Sequence, residues 1–117
     1  MTRQEAERRG RTAEAQAATW LIAQGWQVLA QRRKTKAGEI DLVAKRDGLV
    51  AFVEVKWRRS AAALDDAIDQ RRLARVAAAV EAVAHEYATH GEDIRIDVLL
   101  LAPGAPPRHI ENAWIGF

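Results

Sequence analysis

The chain has 117 residues, 49% of them hydrophobic and 29% charged, which suits one globular domain over residues 1–117 and excludes disorder as the default state. It has no cysteine, so a disulfide scaffold, a thiolate metal site and a cysteine nucleophile are excluded. The net charge of +2 is uneven: residues 1–60 carry 13 Lys and Arg against 7 Asp and Glu, and residues 61–117 carry 5 against 9. On charge alone the basic half reads as a solvated surface, with a polyanionic partner such as nucleic acid as the functional alternative.

Thr2 and Glu5 have the spacing of a capping box at the start of a first helix, which Gly10 weakens. Ala13, Ala17, Ala18, Trp20 and Leu21 form an apolar stripe at helical spacing, and Gly25 is a natural stop. Trp26 to Arg33 reads as a first strand, the stretch KTKAG as a polar turn, and Glu39 to Lys45 as a second strand. Asp47-Gly48 is a strong hairpin signal. The third strand, Leu49 to Trp57, is nearly continuous in hydrophobicity, as a strand covered on both faces should be. A second helix is predicted from about Leu64 to Ala88, with Leu73, Val76, Val80, Val83 and Tyr87 on its buried stripe. Ile94 to Leu101 reads as a fourth strand, PGAPP as a turn, and His109 to Ile115 as a short edge strand. The order α-β-β-β-α-β-β implies an α/β or α+β fold, with helices packed on a mostly antiparallel or mixed sheet. No apolar run approaches the ~20 residues that span a bilayer, and the polar N-terminus is unlike a signal peptide, so no membrane role and a cytoplasmic location are expected.

The hairpin register carries chemistry. With Asp47 and Gly48 as the loop, paired positions sum to 95, which sets Asp41 opposite Glu54 and Glu39 opposite Lys56. Two carboxylates so placed repel, and the cost must be offset by protonation or by a cation. A hard divalent ion such as Mg²⁺ or Mn²⁺ takes oxygen ligands of this kind. Period-2 geometry puts Lys56 and Arg58 on the face of Glu54. Glu14 lies beside the buried stripe of the first helix, and Gln70 lies three residues before Leu73. Each has a plainer structural reading as well. Asp41 and Glu54 could be ion-paired to Lys56 and Arg58, Glu14 could snorkel, and Gln70 could simply sit near a helix start. The run Arg32, Arg33, Lys34, Lys36 is usually a solvated face. His85, His90 and His109 lack ligand spacing and read as surface or packing residues.

The segments GEIDLVA and FVEVKWR, joined by the D-G hairpin, resemble the PD-(D/E)XK superfamily of restriction-endonuclease-like nucleases. With GRTAEAQAA, DQRRL, RIDVLLL and HIENAWIGF, nearly the whole chain is similar to the small bacterial YraN-like family, related to archaeal Holliday-junction resolvases. The residue before Asp41 is Ile40, not the proline of the superfamily's name. The resemblance implies a restriction-endonuclease-like αβββαβ core with a mixed central sheet flanked by helices. It implies a metal-dependent endonuclease acting on DNA, branched recombination or repair intermediates included. Asp41 and Glu54 would bind Mg²⁺ with the carbonyl of Val55, and Glu14 would hold a second metal or a bound water. Lys56 would orient the attacking water, and Gln70 would support the network. Arg32, Arg33, Lys34, Lys36, Arg58 and Arg59 would contact the DNA backbone. Cutting a junction would take two sites, hence a homodimer. Two other classes stay open: a nucleic-acid-binding module with this fold but little turnover, and a structural protein whose acidic cluster is internally neutralised.

Overall fold

The structure is a computed structural model and describes residues 2–60, 62 and 68–116. Helix α1 spans Arg3–Ala23 and runs through Gly10 without a break. Thr2 caps it, its hydroxyl accepting the Glu5 N–H at 3.1 Å. The helix ends at Gln24, and Gly25 follows at φ +92°, where a side chain would be strained. Strands β1 (Gln27–Lys34), β2 (Glu39–Arg46) and β3 (Leu49–Trp57) form an antiparallel meander. Helix α2 (Gln70–Tyr87) crosses over to β4 (Asp93–Leu101), which lies parallel to β3, and β5 (Arg108–Ile110) pairs antiparallel with β4. The sheet order is β1-β2-β3-β4-β5, so β3 is central. This is a mixed five-stranded sheet flanked by two helices, the class expected, and compatible with a restriction-endonuclease-like core.

Each helix covers one face. Ala13, Ala17, Ala18 and Leu21 of α1 pack on Leu42, Ala44, Ala51, Val53, Leu99 and Leu101. Leu73, Val76, Val80 and Val83 of α2 pack on Val43, Val50, Phe52, Ile96, Val98 and Leu100. The continuous hydrophobicity of β3 is thus a strand buried on both sides. No helix among the described residues is long and apolar enough to cross a membrane.

Three boundaries differ from expectation. Helix α2 starts at Gln70, because Asp69 is extended and caps it by accepting the Arg71 N–H at 2.9 Å. Residues 64–67 of the predicted helix lie outside the described residues. Strand β5 stops at Ile110 because Asn112 turns the chain at φ 52°.

The third difference bears on the site. Asp47 and Gly48 both have positive φ, 50° and 76°, as a type I′ turn requires, and the pairs Arg46–Leu49 to Leu42–Val53 all sum to 95. The ladder then ends, one pair short of Asp41 and Glu54. The reason is chemical: the Asp41 carboxylate itself accepts the Val55 N–H at 2.8 Å, taking the place of a strand partner. Face alternation breaks here too, since Ile40 packs on the α2 side with Val43.

Candidate functional site

Where β2 and β3 part, a pocket of about 460 Å³ opens. Helix α1 contributes Glu14, β2 contributes Glu39 and Asp41, and β3 contributes Glu54, Val55 and Lys56. Helix α2 contributes Arg72 and Arg75. Oxygens of Glu14, Glu39 and Asp41 all lie within 4.8 Å of one another. Glu54 is drawn aside: its Oε1 is 2.8 Å from Nζ of Lys56, and Lys56 is only 6% exposed.

The carboxylates are under electrostatic load. Burial pushes Asp41 up to about 7; the Val55 N–H opposes this, while Glu14, Glu54 and Glu39 add to it. Burial also raises Glu14, against the pull of Arg32 and with a push from Glu39. Oε2 of Glu14 is buried with no hydrogen-bond partner. The cation beside it is Arg32, whose Nε stands 3.6 Å from Glu14 and 3.5 Å from Glu39. These are ion-pair distances too long for hydrogen bonds of full strength. Arg32 reaches them from a left-handed backbone at φ 53°, a conformation costly for a non-glycine residue.

The pocket therefore gathers Glu14, Asp41, Glu54, Val55 and Lys56 as expected and adds Glu39, Arg72 and Arg75. Period-2 spacing from Asp41 was the signal for Glu39; the arginines follow Gln70 on the same helix. Gln70 stands elsewhere: it is exposed, and its Nε2 donates to the Ala113 carbonyl at 3.2 Å. The basic run divides. Arg32 serves the carboxylates, and Arg33 forms a two-pronged pair with Glu86 at 3.0 and 2.9 Å. Lys34 and Lys36 are exposed at the β1–β2 turn. Arg58 donates to the Trp57 carbonyl at 2.8 Å, and Arg59 is exposed.

A second polar cluster went unrecognised in sequence. Asp97 on β4 is fully buried. Arg95 grips it with two bonds of 2.8 and 3.0 Å, His109 Nε2 stands at 2.7 Å, and the Asn112 N–H donates at 2.9 Å. Burial alone would raise its carboxyl, but His109, Arg95 and Asn112 together hold it below the usual range. An aspartate inside the apolar run IRIDVLLL was the available signal.

The sequence model of the uncharacterised protein family UPF0102 matches residues 13–101. The chain belongs to the UPF0102 family. A UPF0102 protein of Erythrobacter litoralis is 69% identical over 114 residues, covering 97% of this chain and 98% of that protein. Another from Sphingopyxis alaskensis is 56% identical over the same shares, and one from Rhizorhabdus wittichii is 51% identical over 95% of this chain and 94% of its own. The YraN-like resemblance holds at this level. The UPF0102 match contains every charged residue of the carboxylate pocket and Asp97, while His109 lies beyond it.

Proposed function

We propose that this UPF0102 chain is a metal-dependent endonuclease of the PD-(D/E)XK type, hydrolysing phosphodiester bonds in DNA, branched recombination or repair intermediates included. We place this activity in the cytoplasm, and in a homodimer where the substrate is a junction. One observation carries the reading: three carboxylates converge within 4.8 Å beside a buried lysine, with one buried oxygen of Glu14 lacking a hydrogen-bond partner. Such a donor set fits a hard divalent cation, Mg²⁺ or Mn²⁺, which takes oxygen ligands and would stabilise the Asp41 carboxylate against the burial and the neighbouring carboxylates that raise it.

Glu14, Glu39 and Asp41 would hold the ion, with Glu54 and the Val55 peptide at its flank. A bound divalent ion supplies Lewis acidity and a nucleophilic water near neutral pH. The chain's own residues do the rest. Nζ of Lys56, fixed by Glu54, orients the water and offers positive charge where the phosphorane oxygens become more negative. Arg72 and Arg75 line the pocket from α2 and would bind the scissile phosphate. The exposed Lys34, Lys36 and Arg59 contact backbone phosphates without reading sequence.

Supercoiled, linear, single-stranded and four-way-junction DNA, each with Mg²⁺, Mn²⁺ or chelator, form the test. Cleavage should require metal, and Lys56→Ala should remove it while leaving DNA affinity intact. Absence of cleavage at saturating protein with both metals overturns the reading. A specific observation then favours the binding module: Arg32 and Lys56 already neutralise part of the acidic cluster from within. Salt-dependent binding without turnover is its signature.

A further inference from the structure

Trp57 follows Lys56 directly and ends β3. It is half-buried and forms a wall of the carboxylate pocket. It is also a wall of a larger groove of about 790 Å³ between α1 and the loop after β4. That groove has an apolar lining that includes Trp20, Leu101, Pro103 and Pro107. The guanidinium of Arg9 lies over the Trp57 ring, 4.5 Å from its centroid. Arg8 and Arg9 line the adjoining hollow on one side, with Glu5 as its acidic member, and Arg58 and Arg59 line the hollow on the other. An indole flanked by four arginines and continuous with the carboxylate pocket matches one kind of occupant. Bases stack on aromatic rings whatever their identity, so an unpaired base takes over the ring face that Arg9 covers, and Arg9 turns with the other arginines to the phosphates.

We infer that Trp57 and Arg9 form a stacking subsite for an unpaired nucleotide, which selects single-stranded or frayed polynucleotide beside the carboxylate pocket. The inference rests on the proposed nucleic-acid function and names its substrate class. A duplex keeps its bases inside the stack and cannot use the indole face, so only single strands gain from it. The loop PGAPP and Trp20 give the groove an apolar floor against which the next base can lie.

The test measures affinity in chelator, where turnover has no part. Fluorescein-labelled oligothymidylate, oligouridylate and a duplex of equal length are titrated with the full chain. The wild type should prefer both single strands to the duplex. Trp57→Leu, which keeps an apolar side chain at the core edge, should weaken single-strand binding by about tenfold and leave duplex binding within about twofold. Trp57→Phe should restore most of the loss. Equal losses on single strand and duplex, no loss from a Trp57→Leu protein that melts as the wild type does, or no wild-type preference each overturn the subsite. Should Trp57→Leu fail to fold, photocrosslinking of wild type to 5-iodouracil oligonucleotide decides: adducts at Trp57 support the subsite, and adducts only elsewhere refute it. The cleavage panel reads the enzyme separately. Selective single-strand loss without any cleavage keeps the subsite and removes the nuclease, and cleavage without that loss does the reverse.

Discussion

Asp41 and Asp97 are the same residue type in one sheet, and the fold treats them in opposite ways. Asp97 is fully buried, yet both its oxygens are met by Arg95, His109 and the Asn112 N–H, and its carboxyl is held below the usual range. Asp41 lines a pocket with one backbone donor and three other carboxylates nearby, and burial first, then those carboxylates, push it up to about 7. A satisfied buried charge is a fastening: it ties β4 to β5 and to the turn at Asn112. A carboxylate left in conflict with its neighbours is one that a bound cation would stabilise. Burial is common to both, so completeness of the surrounding donors is what separates the two acids.

The sharpest way to break this comparison is to remove the fastening. Asp97→Ala leaves Arg95, His109 and the Asn112 N–H without their acceptor and should cost about 3–5 kcal/mol in urea unfolding. A loss below about 1 kcal/mol would erase the distinction.

Asp41→Asn should move stability the other way in chelator. The folded pKa of about 7 lies above the unfolded value near 3.8, so the folded state holds its proton more tightly. Wild-type stability therefore falls as pH rises from about 4 to 7 and stays lowered above that. The amide can still accept from Val55, and should gain about 2 kcal/mol at pH 8 with little gain at pH 4. An unchanged difference between the two pH values would remove the conflict from Asp41.

Metal should sharpen the contrast further. Mg²⁺ or Mn²⁺ at a hundred times its Kd should stabilise the wild type by about 2.7 kcal/mol, read as a rise in Tm. Asp41→Asn should abolish that rise, Glu39→Gln should reduce it, and Asp97→Asn should leave the increment intact on its lower baseline. Equal increments in Asp41→Asn and wild type would put the ion elsewhere.

The smallest effect concerns a third acid. Glu92 is drawn down to about 2, first by Lys45 at 2.7 Å and then by backbone donors that include the His90 N–H at 2.6 Å. A lowered folded pKa gives stability that is present above the unfolded value of 4.5 and lost as pH falls towards about 2. Lys45→Gln should shift that acid loss to higher pH in a CD titration, with no change in metal response.

Local signals were the legible ones. The Asp47-Gly48 dipeptide carried its own turn type and therefore the register through Leu42 and Val53. The apolar stripe of α1 sets Glu14 beside the buried face but does not by itself separate a pocket residue from one that snorkels to solvent. Partners brought from afar were not legible. Arg32 and Arg33 look like a solvated basic run, and only the tertiary fold brings Glu14 to one and Glu86 to the other. The early end of the β2–β3 ladder was invisible because a side chain, not the backbone, takes the Val55 N–H. His109 carried no ligand spacing because its partner is an aspartate twelve residues away on another strand. The place of Gln70 three residues before Leu73 points it toward the sheet, but that spacing cannot tell the pocket from the segment at Ala113.

The parallel pairing of β3 with β4 has a consequence for how the chain assembles. Glu14, Glu39, Asp41, Glu54 and Lys56 all belong to the first 57 residues, whose β1–β3 meander closes through short turns. Strand β4 can add only after the crossover through α2 has been closed, and closing a long loop before its contacts form is slow. The four pocket carboxylates should therefore be crowded together early, ahead of the Asp97 fastening on β4. Pulsed hydrogen exchange should show amide protection in β2 and β3 before β4, and refolding should be faster in the presence of divalent ions that ease that early crowding.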